Sequence, residues 1–256
     1  MIKEFYYGSS WHWPLPYLPR VMLSYNMIRK IKNAWKIDIP FMLDSGAYSV
    51  IGKYGKYPYS CEEYTEGIKK WHPDIAWTMD YPCEPELQRK GNYGPKQSME
   101  MTIENQKKLL DLGAKTQMVV QGWELKDYLQ NLDMINENGL MTERLGIGSI
   151  CRRGQNMQIS EIIRTVKRNV PGWVKLHGFG IKISVLKNTN SLYHLYSADS
   201  QAWGYERRYG EWLKGNYKNT NWHDKVPYLV DYINRIEPYT NINQSFFRYR
   251  LNLEII

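Results

Sequence analysis

Residues 41–50, FMLDSGAYSV, pass from an apolar run through an aspartate into a glycine. A short apolar run from Phe41 to Leu43 passes directly into Asp44, and the glycine two residues later permits a sharp exit from an extended segment. The pattern indicates a buried strand with a carboxylate at its carboxyl end, which is where ligands bind in α/β folds. The alternative is that Asp44 only caps the next turn, because Asp and Gly are ordinary turn residues.

The same arrangement recurs at two further positions. IAWTMD ends in Asp80, and LYSAD ends in Asp199. Because the carboxyl ends of parallel strands share one rim in a barrel, we expect these three aspartates to contribute to one site. Two carboxylates that face each other suit retaining glycosyl transfer, in which one attacks the anomeric carbon and the other moves the proton of the leaving group.

Strand and helix candidates alternate along the chain. The strand candidates lie within 3–7, 21–25, 41–44, 75–79, 116–123, 144–154, 173–181 and 192–199. The helix candidates cover 26–36, 61–71, 96–112, 124–138, 158–169, a segment that reaches about 190, and the tail after about 215. We expect 52–60 to be a loop, and the prolines to exclude a helix at 80–85. This alternation, without a domain boundary, predicts an α/β protein: one (β/α)8 TIM-type barrel over 1–256 with a short basic C-terminal extension.

The composition favours an anionic partner. Lys and Arg outnumber Asp and Glu by 34 to 26, which gives a net charge of +8, and 21 Tyr and 10 Trp supply rings that could stack on bases. Cations and rings alternate at 205–218 and 246–250, as on nucleic-acid surfaces, although a plain charged helix face would look similar.

The sequence gives no sign of a membrane segment, a cofactor or a metal site. No apolar run is long enough for a signal peptide or a membrane span, so we expect a cytoplasmic protein. Cys61, Cys83 and Cys151 lie far apart, and neither a CxxC pair nor an HExxH motif is present. We therefore expect neither a disulfide framework nor a protein-built zinc site.

Six motifs over roughly residues 40–204 carry a family resemblance. In order they are DSGAYS, MDYPCEP, VVQG, LGIGS, LHGFG and SADS, and together they resemble the tRNA-guanine transglycosylase superfamily, including its relatives that insert 7-deazaguanines into DNA. Each motif is weak alone, but six in this order with barrel spacing are fairly specific. The resemblance implies exchange of guanine in a polynucleotide for a 7-deazaguanine such as preQ0 or preQ1, through a covalent glycosyl-enzyme intermediate.

The resemblance also implies roles for single residues. Asp199 falls at the position of the nucleophile, and Asp44 at that of the general acid/base. Asp80 and Gln121 match the side chains that hydrogen-bond the edge of the base, and Gly148 matches a backbone contact that helps select it.

Two further positions concern stacking on the base. Tyr48 takes the place of an aromatic that stacks on the base, with a core residue as the alternative. His177 stands where the superfamily more often has an apolar partner on the opposite face. The alternative for His177 is a partly buried rim residue without a chemical role.

Basic residues near the rim are candidate phosphate contacts, although each could be merely solvated. They are Arg152, Arg153, Arg207 and Arg208. The missing zinc motif and the compact length favour DNA over tRNA as the nucleic-acid substrate. The second substrate would be a 7-deazaguanine base. A homodimer or partner modification proteins are further possibilities. Exchange in tRNA, a nucleoside or nucleotide N-glycosidase and a non-catalytic nucleic-acid-binding barrel stay open. The presence of both Asp44 and Asp199 argues against the last of these.

Overall fold

Eight parallel strands form a closed barrel in chain order. The computed structural model describes residues 1–187, 193–204 and 226–240. Pairing of β1 with β8 closes the sheet, with Tyr6 opposite Asp199. The α/β barrel of TIM type that the sequence predicts is therefore confirmed. The strands are β1 Glu4–Ser9, β2 Val21–Ser24, β3 Phe41–Asp44, β4 Ile75–Trp77, β5 Thr116–Val120, β6 Arg144–Ile147, β7 Lys175–Gly178 and β8 Ser197–Ser200.

Helices connect the strands and cover the outside of the barrel. Those in the described ranges are α1 Tyr25–Ile28, α2 Ala47–Tyr54, α3 Cys61–Trp71, α4 Pro85–Gly91, α5 Pro95–Asp111, α6 Leu125–Glu137, α7 Asn156–Arg168, α8 Ile183–Leu186 and α9 Val226–Ile236, with short 3-10 turns at Leu15–Tyr17 and Glu237–Tyr239. None of these helices is long and apolar enough to cross a membrane.

One helix prediction and one loop prediction before β4 are wrong in extent. The helix expected over 26–36 stops at Ile28, and the chain beyond it holds Trp35 against Trp71, with ring centroids 5.6 Å apart. Tertiary packing of that ring thus replaces further helical turns. The loop expected at 52–60 begins late, because α2 continues to Tyr54 and ends only where Gly55 adopts a left-handed φ of 71°.

The expectation that prolines exclude a helix after β4 is also too broad. Pro85 opens α4 as its first residue, where proline costs no hydrogen bond because the first N–H groups of a helix have no intrahelical partner. After β7 the described helix covers only Ile183–Leu186, and the tail helix is described from Val226. The predicted basic extension at 246–250 lies outside the described residues.

Side chains that alternate along the strands fill the barrel. Tyr6, Met42, Trp77 and Val119 form one buried cluster, separate from the larger core that contains Phe5, Leu43 and Ala198 from the strands together with buried residues of the helices. Successive residues of a strand point to opposite faces, so Met42 and Asp44, two positions apart, both point into the barrel. The inner face of β3 therefore runs from a packed core into the polar rim.

An ion pair closes the amino end of the barrel. The guanidinium of Arg144 in β6 donates to both carboxylate oxygens of Glu4 in β1, at 2.8 and 3.2 Å. Tyr6 donates its hydroxyl to the same carboxylate at 3.2 Å. Burial alone would raise the pKa of Glu4, but the hydrogen bonds and charge of Arg144 outweigh it and lower that pKa. The rim with the aspartates is at the opposite end.

We predict that Gly146→Ala destabilises the fold by about 1–3 kcal/mol, because a Cβ in the filled barrel interior overpacks it. That Cβ would lie 2.4 Å from Phe179 Cε2 and 3.2 Å from Trp77 Cζ3. Gly172→Ala is the control, since a Cβ there meets nothing within 4 Å. Urea unfolding measures both variants. Equal free energies of unfolding for the two would contradict the packed interior.

Candidate active site

A cavity of about 1090 Å³ opens at the carboxyl ends of the strands. Asp44 and Asp199 both line it, from β3 and β8. Tyr48 and Arg152 line it as well. The structure therefore brings the two predicted catalytic carboxylates to one cavity, at the rim where barrel enzymes bind their substrates.

Asp44 is held at the end of β3 by its own turn. Its Oδ2 accepts from the Gly46 N–H at 3.0 Å, and Gly46 has a left-handed φ of 87°. A Cβ at position 46 would lie 2.6 Å from Ser24 Oγ, so this turn requires glycine. Burial, followed by repulsion from Asp80 and Asp199, raises the pKa of Asp44 to about 8. Such a carboxyl exchanges a proton near neutral pH.

Asp199 is buried and bound at one oxygen. Its Oδ1 accepts from the Gly180 N–H at 2.9 Å and lies 3.3 Å from His177 Nε2. Gly180 has a left-handed φ of 60°, and a Cβ there would lie 2.6 Å from Cys151 Cβ, so no other residue fits this turn without a shift. Within the described residues Oδ2 has no hydrogen bond. Among these residues, the carboxylate therefore has donors at Oδ1 and none at Oδ2.

Asp80 and Gln121 form a buried pair beside the cavity. Gln121 Nε2 donates to Asp80 Oδ2, and Ser45 Oγ donates to Asp80 Oδ1 at 3.3 Å. Tyr57 donates its hydroxyl to the Asp80 carbonyl oxygen at 2.8 Å. Burial raises the pKa of Asp80 to about 7, although hydrogen bonds from its own backbone N–H, Ser45 and Gln121 oppose that rise. The predicted base-recognition residues thus contact each other directly.

A second polar group behind Gln121 escaped the sequence analysis. Ser149 Oγ lies 2.8 Å from Gln121 Oε1 and 2.6 Å from Glu84 Oε2, and it accepts from the Cys83 N–H at 2.8 Å. Ser149 has an unusual left-handed φ of 54°, and burial raises the pKa of Glu84. This chain of contacts orients the amide of Gln121, with its oxygen toward Ser149 and its nitrogen toward Asp80. Glu84 lies in the MDYPCEP motif and Ser149 ends the LGIGS motif, but neither position by itself indicates this contact.

Gly148 has both backbone groups engaged inside the protein. Its N–H donates to the Val120 carbonyl at 2.9 Å, and its own carbonyl accepts from the Tyr128 hydroxyl at 2.8 Å. A Cβ at position 148 would lie 2.3 Å from Gln121 Nε2. The glycine therefore makes room for the Gln121 amide.

The two predicted stacking residues have different surroundings. Tyr48 is partly buried, lines the cavity and has the Arg152 guanidinium 5.0 Å from its ring centroid. His177 is 0% exposed, and its ring lies 4.9 Å from that of Trp77 and 4.8 Å from that of Phe179. The His177 ring therefore packs within the barrel in this structure, and the cavity is not lined by it.

The predicted arginine pair also separates. Arg152 is exposed and lines the cavity. Arg153 is only 7% exposed; its Nε donates to the Ser149 carbonyl at 3.0 Å, and its guanidinium lies 4.2 Å from the centroid of the Trp123 ring. The geometry gives Arg153 a structural role in place of the predicted phosphate contact. Arg207 and Arg208 lie outside the described residues. Lys182, Lys187 and Arg235, which the sequence analysis did not single out, also line the cavity.

Metal ligands are not clustered in the described part of the chain. In the ranges 1–187, 193–204 and 226–240, no three His, Cys, Asp or Glu residues lie together in a way that could hold a metal ion. Cys61 and Cys83 are buried free thiols, and Cys151 is partly buried.

The chain is thus a closed parallel barrel that brings two carboxyl groups to one cavity at the carboxyl ends of its strands. The sequence profile of DpdA, DeoxyPurine in DNA protein A, matches residues 6–228. The chain therefore belongs to the DpdA family, a family of 7-deazaguanine DNA transglycosylases related to tRNA-guanine transglycosylase. The superfamily resemblance is confirmed, and the family implies a transferase with DNA as its substrate. Comparison with curated protein sequences gives no match.

We predict that Asp44→Asn stabilises the protein at pH 8 by at least about 1 kcal/mol, and that this gain shrinks as the pH falls toward 4. The pKa of Asp44 is about 8 in the folded chain, above its ordinary value of 3.8. Between these values the unfolded chain releases a proton that the folded chain keeps, so wild type loses stability as the pH rises through this range. Asparagine does not titrate and lacks this loss.

Urea unfolding at pH 5 and pH 8 measures the effect. Asp133→Asn is the control, because Asp133 is exposed on α6. Identical pH dependence in Asp44→Asn and wild type would contradict the raised pKa of Asp44.

Proposed function

We propose that this protein exchanges guanine in DNA for a 7-deazaguanine base of the preQ0 or preQ1 kind, through a covalent intermediate on Asp199. The supporting observation is that Asp44 and Asp199 line one cavity in different environments. Asp199 accepts at Oδ1 from the Gly180 N–H, whereas burial and repulsion raise the pKa of Asp44 to about 8. A carboxylate held at one oxygen suits a nucleophile, and a carboxyl with a pKa raised to about 8 suits an acid/base.

In the first half of the reaction, Asp199 attacks through Oδ2. The new bond joins Oδ2 to C1′ of the target nucleotide while the bond from C1′ to N9 of guanine breaks and its electron pair moves onto the base. Asp44, which holds a proton at neutral pH because its pKa is about 8, donates that proton to the departing guanine. The products are free guanine, an aspartyl ester of the sugar and an ionised Asp44.

In the second half, a 7-deazaguanine occupies the position that guanine has left. Asp44 takes the proton from N9 of the incoming base, and N9 attacks C1′. The bond from C1′ to Asp199 Oδ2 breaks, and its electron pair returns to the carboxylate. The exchange is balanced, because Asp44 and Asp199 both regain their starting states and no oxidant or reductant is needed.

Asp80 and Gln121 recognise the edge of the base in this proposal. A guanine-like edge offers the N1–H and the exocyclic amine, both donors, to the Asp80 carboxylate. Adenine offers an acceptor at N1, which would face the Asp80 carboxylate as a second acceptor, so the site penalises the wrong base. Gln121 already contacts Asp80 through Nε2, and Ser149 holds its amide in that orientation. Gly148 takes part by leaving space for Gln121, since its own N–H is bonded to Val120.

The target nucleotide is extruded from the duplex into the cavity, because C1′ of a stacked base is out of reach. Tyr48 lines the cavity and supplies the stacking face. Exposed cations on the same cavity, Arg152, Lys182 and Lys187, bind the phosphates that flank the extruded nucleotide. Arg207 and Arg208, which lie outside the described residues, are proposed as further phosphate contacts, and a homodimer or partner proteins as further parts of the proposal.

We predict that Asp199→Asn binds DNA as wild type does but forms no covalent adduct, since the amide keeps the shape of the side chain and lacks its charge. Asp44→Asn should also bind DNA, lose most turnover and trap a little adduct, because its nucleophile survives. Denaturing gels of protein mixed with labelled duplex DNA and preQ0, followed by peptide mapping, measure both. An adduct in Asp199→Asn, or one that maps to Asp44, would contradict the assignment.

The same assay separates the alternatives. Adduct with RNA and none with DNA would indicate exchange in tRNA. Release of guanine without insertion of preQ0 would indicate an N-glycosidase, in which water resolves the ester. Binding of DNA by wild type with neither adduct nor release would indicate a non-catalytic barrel.

We predict that Asp80→Asn lowers guanine exchange by about 100-fold or more, because the asparagine amide presents a donor to the donors of guanine. Affinity for duplex DNA should stay within about threefold of wild type, since the phosphate contacts are elsewhere. Uptake of labelled guanine measures the exchange, with Asp133→Asn as the control. Unchanged exchange in Asp80→Asn would remove Asp80 from base recognition.

A further inference from the structure

We infer that His177 is a positioning residue for Asp199: it holds one carboxylate oxygen so that the other is free to attack and to leave. The inference rests on the proposed role of Asp199 as nucleophile. It gives His177 a part in the reaction that does not require contact with the base.

The strand register brings the three groups together. His177 in β7 lies opposite Ser197 in β8, and Asp199 follows two residues later on the same face. His177 Nδ1 lies 2.9 Å from Ser197 Oγ, and Nε2 lies 3.3 Å from Asp199 Oδ1. Ser197 is 1% exposed and His177 is 0% exposed. Each ring nitrogen of His177 therefore has a polar partner, although the side chain is fully buried.

The partners fix where the proton of the ring lies. If Nε2 carried a lone pair, that lone pair would face the Asp199 carboxylate, which offers only acceptors. A proton on Nε2 makes this contact a donor–acceptor pair instead, and the Ser197 hydroxyl then donates to Nδ1. Trp77 and Phe179 pack on the imidazole and restrict its rotation. Ring packing and the partners of the two nitrogens thus fix the orientation of the imidazole.

The two donors on Asp199 act on the same oxygen. Oδ1 accepts from the Gly180 N–H at 2.9 Å and faces His177 Nε2. During attack, Oδ2 bonds to C1′ and Oδ1 becomes the carbonyl oxygen of the ester. During the second half, the bond from Oδ2 to C1′ breaks, and the returning charge is shared with Oδ1. Donors at Oδ1 stabilise the carboxylate more than the ester, so they favour its departure.

Because donors at Oδ1 stabilise the carboxylate more than the ester, loss of the His177 donor has a kinetic effect that loss of packing alone would not produce. Removing the donor should slow breakdown of the adduct more than its formation, and adduct should accumulate. Loss of one hydrogen bond to a charged group predicts breakdown slower by about 10- to 100-fold. kcat should fall by a similar factor, while KM for preQ0 changes by less than about threefold.

The matched pair His177→Gln and His177→Asn tests the inference. The glutamine amide is long enough to donate near the position of Nε2, whereas the asparagine amide is one methylene shorter and reaches only toward Ser197. Met42→Leu is the packing control, because Met42 is buried in the same barrel interior and its side chain bonds to none of these groups. Each variant is mixed with labelled duplex DNA, and breakdown of the adduct is followed after addition of preQ0.

We expect the adduct to break down slowly in His177→Asn. In His177→Gln and Met42→Leu, the rate of breakdown should be within about threefold of that of wild type. Ser197→Ala keeps the histidine but removes the partner of Nδ1, so it should slow breakdown by a smaller factor; it serves as the second variant if His177→Asn does not fold. Wild-type breakdown in His177→Asn, or equally slow breakdown in His177→Gln and His177→Asn, would overturn the positioning role. Absence of any adduct on Asp199 in wild type would instead overturn the proposed function.

Discussion

Burial of three carboxyl groups near one another shapes the chemistry at the rim of this barrel. Asp44 and Asp199 are the last inward-pointing residues of β3 and β8, and Asp80 follows β4. The closed sheet therefore brings the three carboxyl groups together despite their charges. Burial with the nearby charges raises the pKa of Asp44 to about 8, and burial raises that of Asp80 to about 7. The fold gives up stability at this rim and gains carboxyls that exchange protons near neutrality.

Different donors around each carboxyl separate their chemistry. Asp199 receives the Gly180 N–H on one oxygen and faces His177 there, Asp44 receives the N–H of its own turn, and Asp80 receives side chains on both oxygens. Environments of this kind let one rim hold an attacking carboxylate, an acid/base and a recognition group. The donors behind them, such as Ser149 behind Gln121, keep these orientations fixed before any substrate arrives.

The strand pattern predicted the barrel, because apolar runs that end in a polar residue recur along the chain and alternate with helix candidates. The same pattern predicted that Asp44 and Asp199 share a rim. It could not separate Arg152 from Arg153, since two adjacent arginines look alike until one of them meets three carbonyl oxygens and a Trp ring.

Contacts between distant segments were also beyond the sequence. Ser149 and Glu84 are far apart along the chain, and only the fold brings their side chains within 2.6 Å. The burial of His177 depends on its register with Ser197 and on the neighbouring Trp77 ring, neither of which is visible in LHGFG.

Exchange of isotopically labelled guanine measures whether Asp199 and Asp44 break and remake the bond between base and sugar. Purified protein is incubated with duplex DNA and ¹⁵N-labelled guanine, and the nucleosides are analysed by mass spectrometry. If Asp199 and Asp44 together break and remake the bond between the base and the sugar, labelled deoxyguanosine appears in the DNA with wild type and is absent with Asp199→Asn. Labelled deoxyguanosine at the same level with both proteins, or unlabelled guanine released by wild type without any label entering the DNA, would contradict the account.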